Sequence, residues 1–95
     1  MPAAARQGDA GVPHCSGYTI ANGSADVKIN GRSAARVGDK STSHLRPGKK
    51  CPGHTASISR GSSSVFINGR PAARVGDSLA GCTRVATGSS DVIIG

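Results

Sequence analysis

A small, mostly β domain of three short arms set about a pseudo-threefold axis is the fold class this sequence predicts, and three observations predict it. An eleven-residue phrase occurs twice, at 29–39 and 67–77, changing only Ser33 to Pro71. Its central part, Ala-Ala-Arg-x-Gly-Asp, occurs a third time at 4–9, and a Gly-Ser-x-x-Val-x-Ile run occurs at 23–29, 61–67 and 88–94. Self-similarity at this scale is the mark of a repeat architecture. Fourteen glycines and five prolines, with no stretch of apolar residues at helical spacing, argue against long helices.

The unit is Ala-Ala-Arg-x-Gly-Asp, a variable loop, an aliphatic residue, a Gly-Ser turn and a Val-x-Ile strand. The aliphatic is Ile20, Ile58 or Val85, three residues before the glycine of each turn. Val27/Ile29, Val65/Ile67 and Val92/Ile94 fall two apart, as do Ala35/Val37 and Ala73/Val75. These sets are expected to face inward, leaving Lys28, Phe66, Ile93, Arg36 and Arg74 outward. Glycines on either side of each strand supply the turns. The opening Ala-Ala-Arg-x-Gly-Asp strand is positioned to complete the unit that the last Val-x-Ile strand leaves unfinished. The arms are therefore expected to close around an axis rather than stack as a solenoid, which also leaves fewer edges exposed. With 95 residues, no Trp, one Tyr, one Phe and 36% hydrophobic residues, the chain 1–95 is expected to be one domain with a thin core. Such a core calls for an added staple.

The candidate staple emerges when the loops are placed in register. Six residues on from the glycine of each Gly-Asp pair stand His14, His44 and Cys82. A threefold arrangement brings these together at one end of the axis. His54, in a second loop eight residues longer than the first, is the natural fourth. Imidazoles and a thiolate are the donors that tetrahedral zinc prefers, and four protein ligands make a closed, structural site. Cys15 follows His14 directly, and Cys51 lies close to His54. Either could replace a ligand, pair as a disulfide outside the cytosol, or be a small buried residue.

The phrase Pro71-Ala72-Ala73-Arg74, with Ser33-Ala34-Ala35-Arg36 and Pro2-Ala3-Ala4-Ala5-Arg6 as variants, resembles the signature of the PAAR-repeat family. The resemblance covers essentially the whole chain, and His14, His44, Cys51-Pro52-Gly53-His54 and Cys82 follow in the family's order. It implies a cone-shaped, mostly β domain that caps and sharpens the trimeric VgrG spike of a bacterial type VI secretion system. One cap sits on each trimer and assists membrane puncture and effector delivery. It also implies one zinc ion near the tip, held at the matching positions His14, His44, His54 and Cys82. A monomer with three similar arms can offer each exposed strand edge of a trimer a matching strand. The outward residues Lys28, Phe66 and Ile93, and the turns Asn30-Gly31-Arg32 and Asn68-Gly69-Arg70, are the candidates for the docking base. Asn-Gly is equally a plain hairpin turn. Many relatives carry toxin extensions; none is expected on this chain, so effectors would bind non-covalently. The opening MPAAARQGD lacks the apolar region of a signal peptide. Synthesis in the cytoplasm and export by the secretion machine are therefore expected.

A formal net charge of +7 raises a second reading, a small basic zinc module for nucleic acid, with Lys40, Arg46, Lys49 and Lys50 tracking phosphates. Two aromatics leave little for bases to stack on, and the repeated Arg6, Arg36 and Arg74 belong to the fold, so no nucleic acid is expected. The basic loop would equally attract anionic lipid in transient contact with a target membrane. No enzyme activity is expected. The chain has no Glu, its five acidic residues are all Asp, and three of them repeat with the Gly-Asp turn.

Overall fold

The computed structural model describes residues 2–12, 18–42, 44–45, 53–80 and 83–95, with the backbone alone described at 44–45 and 53–54. It is strand-rich and has no helix among the described residues. Three two-residue hairpin ladders are present: β1 (Lys28–Ile29) with β2 (Arg32–Ser33), β3 (His44–Leu45) with β4 (Gly53–His54), and β5 (Phe66–Ile67) with β6 (Arg70–Pro71), all antiparallel. The β1–β2 and β5–β6 hairpins turn on Asn30-Gly31 and Asn68-Gly69. All four residues have positive φ (54° and 77°, then 55° and 78°), the geometry of a type I′ turn and the reason for Asn-Gly there.

The arms close around the axis as the repeat phase predicts. Ala5 N donates to Ala73 O, Ala73 N to Ala35 O, and Ala35 N back to Ala5 O, each at 3.0 Å, so three backbone hydrogen bonds form a ring with no beginning. A second set repeats beside it: Gln7 N to Ser33 O, Val37 N to Pro71 O and Val75 N to Ala3 O, at 2.8–2.9 Å. The N-terminal strand completes the last unit through the Ala3–Ile93 bridge and the bonds Ala4 N to Val92 O and Ile94 N to Pro2 O. Backbones this close to an axis leave room for methyl groups only. Ala4, Ala34 and Ala72 are fully buried, and Ala5, Ala35 and Ala73 nearly so.

Further from the hairpins lies a closed ring of six antiparallel bridges. Residues 10–11 pair with 19–20 and 84–85; residues 40–41 pair with 19–20 and 57–58; residues 78–79 pair with 57–58 and 84–85. This is a miniature barrel, and alternation assigns its interior. Gly11, Ile20, Ser41, Ile58, Leu79 and Val85 are buried, whereas Lys40 and Arg84 are exposed. Interior volume is shared between equivalent pairs. Where Leu79 faces inward its neighbour is Thr83. Where Gly11 does, Tyr18 fills the space a side chain would take. Ser41 is satisfied by the Ala56 amide at 3.0 Å. The hydrophobic core is thus two clusters, one inside the barrel and one of Ala4, Ile29, Ala34, Ile67, Ala72 and Ile94 towards the hairpins.

Two expectations about facing require correction. Val27 and Val65 are 36% and 37% exposed rather than inward, because strands of two residues begin only after them and a serine-anchored turn sets their direction. Val92 does pack on the base cluster. Arg36 and Arg74 are not free outward residues. They are half-buried, each bound to an aspartate three residues on.

Candidate functional site

Each repeated Arg-x-Gly-Asp segment is a turn locked from both ends. In the first arm Asp9 N donates to Arg6 O at 3.0 Å, while Arg6 N and Nε donate to Asp9 Oδ2 at 2.7 and 3.0 Å and Arg6 Nη2 donates to Oδ1 at 2.9 Å. Arg36–Asp39 and Arg74–Asp77 reproduce this arrangement. The bidentate grip explains why all three copies keep Arg and Asp at this spacing, and the bond to its aspartate holds each guanidinium pKa above its ordinary value. These turns connect the strands at the hairpins to those of the six-bridge ring.

At the hairpin end, Lys28, Phe66 and Ile93 occupy one equivalent position in the three arms, and all are exposed, Phe66 by 57% and Ile93 by 59%. Half-exposed Val27 and Val65 widen this apolar surface. Large side chains left in water at symmetry-related positions are the kind of patch that marks an interaction surface. Lys28 Nζ donates to Ser33 Oγ at 3.0 Å, so its amine folds back along its own hairpin and its methylenes take the place of a hydrophobic side chain. Arg32 and Arg70 reach sideways to Asp9 and Asp39 of the neighbouring arms, at 3.8 and 3.7 Å.

Asn30 and Asn68 are hairpin turns and interarm fasteners together. Asn68 Oδ1 accepts from Ser24 Oγ at 2.6 Å and Arg36 Nη1 at 3.0 Å, and its Nδ2 donates to Asp26 Oδ1 at 2.9 Å. Asn30 does the same one arm on, accepting from Ser89 Oγ at 2.5 Å and Arg6 Nη1 at 3.1 Å and donating to Asp91 Oδ1 at 2.7 Å. Bonds from these asparagines, then from Ser24 and Ser89, hold the carboxyls of Asp26 and Asp91 below the ordinary carboxylate range. The third seam differs. Gly95 stands where the asparagines stand and Ser64 where the aspartates stand; Ser62 Oγ donates to the Gly95 main-chain oxygen. The signal for this fastening was in the sequence as Asn, Asn, Gly at 30, 68 and 95 against Asp, Asp, Ser at 91, 26 and 64, one arm out of step. A reading of each arm by itself passes over it.

At the opposite end, Val12 N to Arg84 O, Thr42 N to Thr19 O and Ala80 N to Ser57 O, each 2.8 Å, are equivalent bonds. Two residues beyond each donor stand His14, His44 and Cys82. The β3–β4 ladder puts His44 directly opposite His54 in register. Directly opposed residues of an antiparallel pair have α-carbons about 4.5–5.5 Å apart, a separation that suits two ligands of one ion. His14 and Cys82 lie outside the described residues, as do Cys15 and Cys51 and the basic positions Arg46, Lys49 and Lys50. The donors at these positions, with the His44–His54 register, fit a tetrahedral zinc.

Comparison with curated proteins finds no match. The family described as PAAR motif matches residues 2–44 and again residues 48–95. With three locked Ala-Ala-Arg turns closing on one axis and nearly every residue inside one of the two matched stretches, the chain belongs to the PAAR motif family.

Proposed function

We propose that this protein caps a VgrG spike trimer of a type VI secretion system, one chain per trimer, with the hairpin end docked and the opposite end forming the point. The PAAR motif is associated with type VI spike-tip proteins. The observation that carries the reading is the ring through Ala5, Ala35 and Ala73, by which a single chain presents three equivalent arms. A symmetric trimer meets such a cap with the same approach on each side. Lys28, Phe66 and Ile93 form its contact corners, helped by Val27 and Val65, and burying these apolar groups drives docking. Arg32 and Arg70 border the surface. The asparagines hold the arms in place for it.

In this reading His14, His44, His54 and Cys82 hold one zinc ion. Bound there, it supplies a cross-link between loops rich in Gly, Ser and Pro, stiffening a point that must cross a membrane. The chain's own contribution is the β3–β4 backbone register, in which His44 stands opposite His54. Effectors ride on the assembly, and export is by the secretion machine.

Native mass spectrometry of the chain mixed with the β-helix end of a spike trimer tests both parts. The expected product is one chain per trimer carrying one zinc, and a Phe66→Asp/Ile93→Asp variant should keep the zinc and lose the trimer. A zinc-bearing chain that joins no spike from its own genome would overturn the cap. A metal-free chain that docks would overturn the zinc site alone.

A further inference from the structure

Three Asn-Gly pairs occur in the chain, at 22–23, 30–31 and 68–69. In each, the glycine amide nitrogen can attack the asparagine side-chain Cγ, since no side chain on the glycine hinders the approach. The dipeptide ranks the three alike; their surroundings do not. All three asparagines are exposed. Asn30 and Asn68 are nevertheless held twice over. Their backbones are fixed at positive φ in type I′ turns, and their carboxamides are tied to the next arm, Asn30 to Arg6, Ser89 and Asp91 and Asn68 to Arg36, Ser24 and Asp26, at 2.5–3.1 Å. Asn22 lies outside the hairpin ladders, and the one hydrogen bond of its side chain among the described residues comes from the Lys40 amide to Oδ1, at 3.1 Å.

We propose that Asn22 is a site of spontaneous covalent modification, deamidation to aspartate and isoaspartate, and that the bonds across the seams keep Asn30 and Asn68 intact. Water is the only co-reactant. The Gly23 nitrogen bonds to Asn22 Cγ and gives up its proton, the bond from Cγ to the side-chain nitrogen breaks, and ammonia leaves with that proton. Water then opens the cyclic imide at either carbonyl, leaving a side-chain carboxylate or a main chain that runs through Cβ. Closing the five-membered ring requires the carboxamide and the following peptide plane to turn towards each other. At Asn30 and Asn68 that rotation must undo the turn and break bonds across the seam, among them one to an aspartate and one from a guanidinium, both charge-assisted. Arg6 and Arg36 do polarise Oδ1, but polarisation counts only where the glycine nitrogen can reach Cγ. At Asn22 a single bond opposes the rotation. The reactive pair is also fixed in place there, because a Cβ at Gly23 would lie 2.7 Å from Ser33 Cβ and 2.8 Å from the Ser33 carbonyl oxygen. The products differ as well. An aspartate at 22 still accepts from the Lys40 amide, whereas one at 30 or 68 would set a carboxylate against Asp91 or Asp26, where the carboxamide nitrogen now donates at 2.7 and 2.9 Å. This site rests on the fold and stands whether or not the cap reading does.

The three pairs are one another's controls. The full chain is held folded in mildly alkaline buffer, sampled over time and digested, and its peptides are read by mass spectrometry for the amide-to-acid mass gain and for isoaspartate. Release of even one charge-assisted bond slows ring closure roughly tenfold or more, so conversion at Asn22 should lead that at Asn30 and Asn68 by at least this factor. In urea that unfolds the chain, the three rates should come together. Asp26→Ala removes the acceptor of Asn68 Nδ2 and should speed conversion at Asn68 with Asn30 unchanged; Asp91→Ala should do the reverse. Equal rates at the three pairs of the folded chain, or the slowest at Asn22, would overturn the proposal. So would a spread of rates that persists in urea, which assigns the ranking to sequence, or an Asp26→Ala variant that speeds Asn30 as much as Asn68, the sign of general loosening.

Discussion

Replacing Gly11 by alanine puts a methyl where an aromatic ring already is. A Cβ at Gly11 would lie 1.9 Å from Tyr18 Cζ, 2.2 Å from Cε2 and 2.3 Å from Oη, against the roughly 3.5–4.0 Å that carbon atoms need. Tyr18 is 5% exposed, sits in the barrel cluster and is bonded through its hydroxyl to Thr83 Oγ1 at 2.8 Å, so it has no slack to absorb such a shift. If the ring stays, overpacking costs about 1–3 kcal/mol. If the ring leaves, about 1.5–3 kcal/mol of aromatic burial and about 1 kcal/mol of hydrogen bond go with it. With a clash this deep the overpacking cost falls at the upper end of its range, so on either path the expected loss is about 3 kcal/mol, a fall in Tm of roughly 12–24 °C for a domain of this size. Thermal and urea unfolding, with every variant in the same metal condition, measure it. Tyr18→Ala alone should cost about 3–5 kcal/mol through the cavity it leaves. The double variant Gly11→Ala/Tyr18→Ala recreates the small-residue pairing of Ser41 with Ala56 and should cost at least about 2 kcal/mol less than the sum of the singles. Additive losses, or a Gly11→Ala cost below about 1 kcal/mol, would refute the idea that the two residues share one volume.

Three other outcomes are expected. Asp39→Asn, which breaks a bidentate pair to a buried carboxylate, should lower the urea-derived stability by about 2–3 kcal/mol. Arg70→Ala, removing only a 51%-exposed guanidinium 3.7 Å from the same carboxylate, should cost less than about 1 kcal/mol. The fastened carboxyls predict a pH response: Asp26 and Asp91 have folded pKa values below the unfolded value of about 3.9, so their contribution is full above that pH and is lost as pH falls through the lowered folded value. Urea midpoints between pH 6 and pH 2 should therefore decline less steeply in an Asp26→Asn/Asp91→Asn variant than in the unaltered chain.

Much of the architecture was legible because the repeat carries it. The triplicate Ala-Ala-Arg-x-Gly-Asp gave the arms, and its phase relative to the last Val-x-Ile gave the closure now visible in the Ala3–Ile93 bridge. Facing was less legible. A period of two says little about a strand of two residues, which is why Val27 and Val65 emerge on the surface and why Arg36 and Arg74, polar by letter, are half-buried by their aspartates. The barrel interior escaped the same way. Gly11 and Ser41 do not register as core residues, and only Tyr18 and Ala56 on the facing strand show where the volume went. Of the candidate metal site, the described residues give the backbone register of His44 against His54, while the positions His14 and Cys82 lie outside them. The corners Phe66 and Ile93 are exposed as alternation implied, whereas the fastening role of Asn30 and Asn68 needed the arms to be seen side by side.

The hydrogen-bonded ring through Ala5, Ala35 and Ala73 has a consequence for how such a molecule can vary. It joins the units without regard to which are covalently linked, so the fold is in effect a homotrimer whose three protomers share one backbone. A true homotrimer must place the same residue at all three related positions. Concatenation removes that constraint, and this chain uses the freedom: Lys28, Phe66 and Ile93 at one set, Gly11, Ser41 and Leu79 at another, two Asn and one Gly at a third. Each arm can therefore drift by itself towards a separate neighbour, while the alanines at the centre, common to all three, cannot.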